Sequence, residues 1–321
     1  MPCRSRGVLA ALGAALLAVA PAMGADAVRG APAAAATPVQ PRASGELRDC
    51  PDCPRMVVVP PGELALRVFI VDDKGVPVPP EFETRTLHLP YPYAIGKYEV
   101  TFGEFARFVA ATGHKIAPGC NRVEPTNGAF TRNPDATWRN PRADGKVPRD
   151  DEPVRCVRWY DAQAYVEWLG RETGVHYRLP TVEEFQYAAQ GGSESLFFWG
   201  DDIDDACRYA NVFDQSAELG PGWTRPSANC NDGFAEVAPV GSFQPNRFGL
   251  YDMIGNVSEW LADCFPDSLE HPERGDQCYR RGSRGGSWRH PPLAYRVGFP
   301  ARGRPYTTTA IFGFRVARDM S

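Results

Sequence analysis

The chain has 321 residues, 43% of them hydrophobic, with 35 Lys and Arg against 39 Asp and Glu, 31 Gly, 31 Pro and nine Cys. That length is ample for a buried core in one large or two small domains. The near-neutral balance excludes the broad basic surface that many phosphate contacts require, so nucleic acid is not an expected partner.

At the N-terminus, Arg4 and Arg6 precede an apolar run from Gly7 to Ala20, and Ala25-Asp26-Ala27 offers a small-residue cleavage site. This pattern predicts a signal peptide over residues 1–27, with Ala22-Met23-Gly24 as a second candidate site. The run is shorter than the roughly 20 residues that span a bilayer, and no later segment is apolar enough to do so. Export across the inner membrane, with the periplasm as destination and no membrane span after cleavage, is the expectation. Residues 28–47 are rich in Ala and Pro, including Ala33 to Ala36 in a row, and are predicted to form a flexible tether. A single domain is expected over 48–321.

Cys3 leaves with the leader, and the remaining cysteines are Cys50, Cys53, Cys120, Cys156, Cys207, Cys230, Cys264 and Cys278. In an oxidising compartment an even set points to disulfides. Eight cysteines allow about a hundred connectivities. Pairing sequence neighbours gives 50–53, 120–156, 207–230 and 264–278, and the last three each close a loop-rich stretch. Cys50-Pro51-Asp52-Cys53 also has redox-motif spacing, but no βαβ pattern surrounds it, so a local staple is the simpler expectation.

Three helices are expected in the N-terminal half. Thr101 and Glu104 form a capping box, followed by Phe102, Phe105, Phe108 and Val109 at helical spacing until Gly113. A second helix runs from Trp159 or Asp161 to Glu172, with Ala164, Tyr165, Trp168 and Leu169 on its buried side and a stop at Gly174. Thr181 and Glu184 repeat the capping box before Phe185, Tyr187, Ala188 and Ala189, and Gly191-Gly192 ends that helix. These stripes read as core faces. Beyond Gly192 the helical period disappears. Short apolar runs such as Val237–Val240 and Phe312–Val316 alternate with Gly, Pro, Asn and Asp, predicting short strands and long ordered loops. No phosphate-binding glycine loop, metalloprotease helix or hydrolase nucleophile elbow occurs in a suitable context.

Several ordered motifs carry a resemblance. They are Met56-Val57-Val58-Val59-Pro60-Pro61-Gly62, Lys97-Tyr98-Glu99-Val100-Thr101, Tyr177-Arg178-Leu179-Pro180-Thr181 and Phe248-Gly249-Leu250-Tyr251-Asp252-Met253. Gly255-Asn256-Val257-Ser258-Glu259-Trp260, Arg284-Gly285-Gly286-Ser287-Trp288 and Gly313-Phe314-Arg315-Val316-Ala317 follow. Together they resemble the sulfatase-modifying-factor, or formylglycine-generating enzyme, domain over about Cys50 to Arg318. The resemblance implies a single compact α+β domain, C-type-lectin-like and poor in regular structure. In one departure, Leu64-Ala65-Leu66-Arg67 replaces the family's Met-Gly-Ser after the Pro-Gly turn.

Asp252 and Glu259 flank Gly255 and Val257, a spacing that could offer two carboxylates and two carbonyls to a hard cation. The resemblance implies calcium there, with ligands at Asp252, the Gly255 and Val257 carbonyls and Glu259. It implies a second calcium at Asn211, the Val212 carbonyl, Asp232 and the Phe234 carbonyl. The alternative is that these side chains cap turns.

Formylglycine-generating members resemble one another in a cysteine pair that binds copper(I) through soft thiolates. Counted from Gly285-Gly286-Ser287-Trp288, those positions are His290 and Tyr295, and no cysteine follows Cys278. Copper is therefore not expected, and ordinary formylglycine generation is expected to be absent. Ser258 also replaces the aromatic expected there, and Pro291-Pro292 stiffens the loop. His290 could serve as a base or metal ligand, or only as a hydrogen-bonded histidine. Ser287, Trp288, Arg296, Arg302 and Arg304 fall in the segment that forms the family's substrate groove, and Arg with aromatics suits an anionic or peptide ligand. Three functions remain open. The domain binds or modifies a peptide or protein in the cell envelope, or it is an oxidoreductase of altered chemistry in the maturation of a secreted enzyme or metabolite, or it is a disulfide-stapled structural module.

Overall fold

The computed structural model describes residues 45–71, 77–124, 129–142, 144–216, 228–266, 278–299 and 301–320. The leader and the tether up to residue 44 lie outside the described residues. Glu46–Leu47 (β1), at the end of the stretch read as tether, already pairs with Met56–Val59 (β2).

A long antiparallel hairpin follows, Gly62–Val71 (β3) with Pro77–Leu89 (β4), and then Tyr93–Gly96 (β5). The first helix, Phe102–Thr112 (α1), begins where expected: Glu104 N–H donates to Thr101 Oγ1 and Thr101 N–H donates to Glu104 Oε2. Gly113 closes it at φ 66°, the left-handed conformation that favours glycine at a helix end. Cys120–Val123 (β6) and Phe130–Asn133 (β7) form a small ribbon. Trp159–Thr173 (α2) ends at Gly174, Tyr177–Arg178 (β8) follows, and Val182–Gln190 (α3) starts on the Thr181–Glu184 capping box.

After α3 the described residues are mostly loop, interrupted by 3₁₀ turns at Ile203–Arg208 and Pro292–Tyr295. The later strands are Ser258–Pro266 (β9), Cys278–Arg284 (β10), Ala301–Gly303 (β11), Phe312–Gly313 (β12) and Ala317–Asp319 (β13). One sheet has the order β1-β2-β5-β13-β8, and a second has the order β11-β10-β9-β12. The described residues therefore form an α+β domain within one compact unit.

Two expectations need correction. Val237–Val240 is not a strand, because the Asn256 side chain takes the place of a ladder: its Oδ1 accepts from Ala238 N–H at 3.0 Å and its Nδ2 donates to the Ala238 carbonyl at 3.3 Å. Strands are also not confined to the second half, since β3 and β4 are the longest in the molecule's described part. Their pattern is legible afterwards, with Leu64 and Leu66 buried and Glu63 and Arg67 exposed.

Two apolar clusters hold the sheets. One joins Val57, Leu64, Leu66 and Leu89 to Phe185 and Leu250. The other packs α1 on α2, with Phe105 edge-on to Phe314 at 6.2 Å and Phe108 edge-on to Tyr165 at 5.6 Å. Each such buried aromatic contributes roughly 1.5–3 kcal/mol through lost apolar exposure. The four disulfides pair sequence neighbours, Cys50–Cys53, Cys120–Cys156, Cys207–Cys230 and Cys264–Cys278. Among the described residues, no helix is long and apolar enough to cross a membrane.

Candidate functional site

Gly285 and Gly286, at φ 90° and 73°, lead from β10 into the segment that carries the two positions of interest. Only glycine fits at 286, where a Cβ would lie 2.7 Å from the Tyr295 ring. Ser287 Oγ lies 2.7 Å from His290 Nδ1, and His290 N–H donates to the Ser287 carbonyl. Tyr295 sits in the core rather than facing solvent. Its hydroxyl accepts from Phe213 N–H at 2.6 Å and donates to the Ser287 carbonyl at 3.0 Å, and burial pushes its ionisation well up. A neutral phenol locked between two main-chain groups is a brace for the loop. Replacing Tyr295 by Phe removes the hydroxyl's bonds to Phe213 N–H and to the Ser287 carbonyl in a buried site. We expect Y295F to lose about 1–3 kcal/mol in chemical denaturation while keeping its secondary structure. An unchanged midpoint would remove the bracing role.

Of the proposed groove residues, Ser287 and Trp288 are buried, Trp288 among Val123, Val237 and Val257. Arg296 is half-buried, whereas Arg302 and Arg304 are exposed on and beside β11, Arg304 over the Tyr279 ring at 5.1 Å. The structure adds residues that the sequence did not single out. Arg281 lies 3.7 Å over the Trp159 ring and donates to the Ala262 carbonyl. Arg284 is buried and donates to the Ser283 and Ala301 carbonyls, and burial pushes its guanidinium down to about 10. Neither has a carboxylate at ion-pair distance among the described residues, and the Nε of each is buried without a partner. The Trp159 N–H bond to the Pro305 carbonyl holds the start of α2 against this segment, next to exposed Tyr160 and Tyr306. Arg281 and Arg304 with Trp159, Tyr160 and Tyr306 thus make a face of guanidinium groups and rings of the kind that suits carboxylate or phosphate oxygens, whereas Arg302, opposite Gly282, lies on the other side of the β10–β11 ladder and Arg284 is inside. A cavity of about 690 Å³ between α2 and β8, lined by Val166, Gly170, Val175 and Tyr177 among others, shares no residue with this face.

The two loops proposed to hold cations lie side by side. Asp252 and Asn256 adopt positive φ, 55° and 47°, with Gly255 at 84° between them. Asp252 Oδ2 accepts from Gly241 N–H, so part of the turn-capping alternative is realised, but Asp252 Oδ1 is buried with no partner. Glu259 is fully buried and held by both arms of Arg315, at 2.7 Å each. Glu99, also buried, accepts from Asn256 Nδ2 at 2.7 Å and Val257 N–H at 3.1 Å. Three carboxylates thus share one guanidinium. Burial raises the Asp252 carboxyl to about 6 and pushes Glu99 well up, with the neighbouring Asp252 and Glu259 charges adding to the latter.

In the second loop, Asn211 Oδ1 is buried without a partner, while its Nδ2 donates to the Glu236 carbonyl at 2.7 Å. Asp232 accepts from Val212 and Phe234 N–H, and burial raises it to about 6. The Phe234 carbonyl accepts from Ser216 Oγ at 2.9 Å. Nearby, Cys207, Asp214 and Cys230 converge, but the two sulfurs are bonded to each other and are not thiolate ligands. Glu99, Asn256 and Arg315 were missed as partners of these loops, although all three stand inside quoted motifs.

Residues 43–320 match the model of the sulfatase-modifying factor enzyme 1-like domain. A formylglycine-generating enzyme of Thermomonospora curvata is 31% identical over 298 residues, covering 82% of this chain and 93% of that protein. The inactive C-alpha-formylglycine-generating enzyme 2 of Mus musculus is 32% identical over 220 residues, covering 61% and 64%. Among solved structures, PvdO from Pseudomonas aeruginosa superposes with a TM-score of 0.65 at 30% identity, covering 87% of this chain and all of that one.

Proposed function

We propose that this chain, which belongs to the sulfatase-modifying factor enzyme 1-like domain family, is an exported member that binds or modifies an anionic peptide segment of a cell-envelope protein without copper-thiolate chemistry. The leader-like first 27 residues and four disulfides support export. The observation that carries the chemical half of the reading is the state of the family's thiolate positions. His290 and Tyr295 stand there, the Tyr295 hydroxyl is already spoken for by two main-chain groups, and all eight described cysteines are in disulfides. The residues do not fit a two-thiolate copper(I) site. The binding half rests on Arg281 and Arg304 beside Trp159, Tyr160 and Tyr306.

Calcium fits the two loops better than copper fits position 295. Asp252 Oδ1 and Asn211 Oδ1 are buried oxygens without partners, and oxygen is the donor that this hard cation takes. Asp252, Glu259 and the Gly255 and Val257 carbonyls would hold one ion. Asn211, Asp232 and the Val212 and Phe234 carbonyls would hold the other. A bound cation would order the loop that is tied to Gly285 and Trp288, just after β10.

Purified mature protein, loaded with copper(I) and incubated with a sulfatase-motif peptide in air, is expected to form no aldehyde. Elemental analysis of the same preparation is expected to find calcium and neither copper nor iron. Aldehyde formation would refute the reading, and a stoichiometric redox metal would favour an oxidoreductase.

A further inference from the structure

The two proposed cation loops are bonded to each other. Asn256 N–H donates to the Asn211 carbonyl at 2.8 Å, and Asn211 Nδ2 reaches Asn256 Oδ1 at 3.5 Å. A Cβ on Gly255 would lie 2.1 Å from the same Asn211 oxygen, so the two main chains touch. Asn211 therefore works in both directions. Its amide hydrogens are given to the Glu236 carbonyl and to Asn256, which leaves its Oδ1 as the unpartnered acceptor in its own loop.

Asn256 is in turn fixed from below. Glu99 takes Asn256 Nδ2 on one oxygen and Val257 N–H on the other, so it holds the turn to which the Gly255 and Val257 carbonyls belong. The Asn256 carbonyl accepts from Trp288 N–H at 3.0 Å, tying the same residue to the segment that leads to His290. Glu99 and Asn256 are buried to 1% and 0% exposure, so water does not compete for these bonds. Each loop also holds one buried oxygen with no partner, Asp252 Oδ1 in the first and Asn211 Oδ1 in the second. Each is therefore poised for a ligand.

We infer that Asn256, held by Glu99, is a positioning residue that couples the two cation sites, so that filling either one preorganises the other. The inference rests on the calcium reading of the loops. A cation on Asn211 and the Val212 carbonyl fixes Asn211. Asn211 accepts from Asn256 N–H, and that same peptide carries the Gly255 carbonyl of the first site. The second ion then binds a loop whose ordering has already been met, which is positive cooperativity without a large movement. Linkage makes the effect reciprocal, and couplings of this kind amount to about 5- to 150-fold in affinity.

The test is calorimetric titration of calcium chloride into the chelator-stripped, full mature chain. The wild type is expected to bind two ions cooperatively. D232N, which weakens the second site, is expected to lower affinity at the first by about 5-fold or more, and D252N to lower the second by the same factor. On an N256A background, D232N is expected to leave the first site's affinity unchanged. If N256A does not fold, E99Q, which weakens the hold on Asn256 Nδ2, is expected to reduce the effect of D232N at the first site, and an unreduced effect overturns the role of Asn256. Two ions bound independently, with D232N silent at the first site, overturn the coupling and leave the calcium reading intact. No calcium bound by the wild type overturns both.

Discussion

Replacing Arg315 by Met is expected to cost about 3–5 kcal/mol, one of the largest losses available to a single side chain here. The guanidinium is fully buried and makes four bonds, two to Glu259 at 2.7 Å and one each to the Gly96 and Tyr251 carbonyls at 3.0 Å. Those bonds join β9, the end of β5, the Tyr251 turn and the segment between β12 and β13 that carries Arg315 itself. With Met in place, Glu99, Asp252 and Glu259 face one another with no compensating charge, and burial has already raised all three carboxyls. Two controls separate charge from geometry. R315K keeps the charge but gives up the forked contact, so it is expected to lose stability as well. The double variant E259Q/R315M removes both ends of the pair and is expected to recover part of the loss. Urea denaturation in chelator measures all three, and a loss below about 1 kcal/mol for R315M would show that the cluster is not held by this residue.

How far the sequence foretold this depends on the range of each signal. Thr101 with Glu104 and Thr181 with Glu184 are local devices, complete within four residues, and both appear as capped helices. The disulfides were legible for a similar reason, because each joins sequence neighbours. The β3–β4 hairpin escaped notice because Pro77, Pro79 and Pro80 argue against a strand in isolation; Pro79 and Pro80 fall where the register shifts between Phe69 and Val71, an irregularity of the kind that tolerates proline. Val237–Val240 failed in the opposite direction. Its apolar run was real, but Asn256, 18 residues on, satisfies its backbone instead of a neighbouring strand. At the site, the identity of residues 290 and 295 was readable, but not that Tyr295 would reach back to Phe213. Arg315 and Glu259 are 56 residues apart, and only the fold makes them a pair.

Gly255→Ala is expected to cost about 3 kcal/mol or more and to disturb both cation loops together. Two effects add. At φ 84° an L-residue suffers left-handed strain of about 1–2 kcal/mol, whatever the space around it. Here there is also no space: the new Cβ would sit 2.1 Å from the Asn211 carbonyl oxygen and 2.9 Å from its carbon, both main-chain atoms that no side-chain rotation can move aside. The loops must part, and parting them breaks the Asn256 N–H bond to that same oxygen. Losing a bond between buried groups adds about 1–3 kcal/mol to the strain. Gly233→Ala supplies the comparison within the same pair of loops, because Gly233 has φ 88° but nothing within 4 Å of its Cβ position. G233A should therefore show the strain alone. The two variants, unfolded side by side in urea with chelator present, are expected to differ by at least about 1 kcal/mol, with G255A the weaker. Equal losses would mean that the 211 and 255 main chains slide apart freely, and rigid contact between the loops would have to be abandoned.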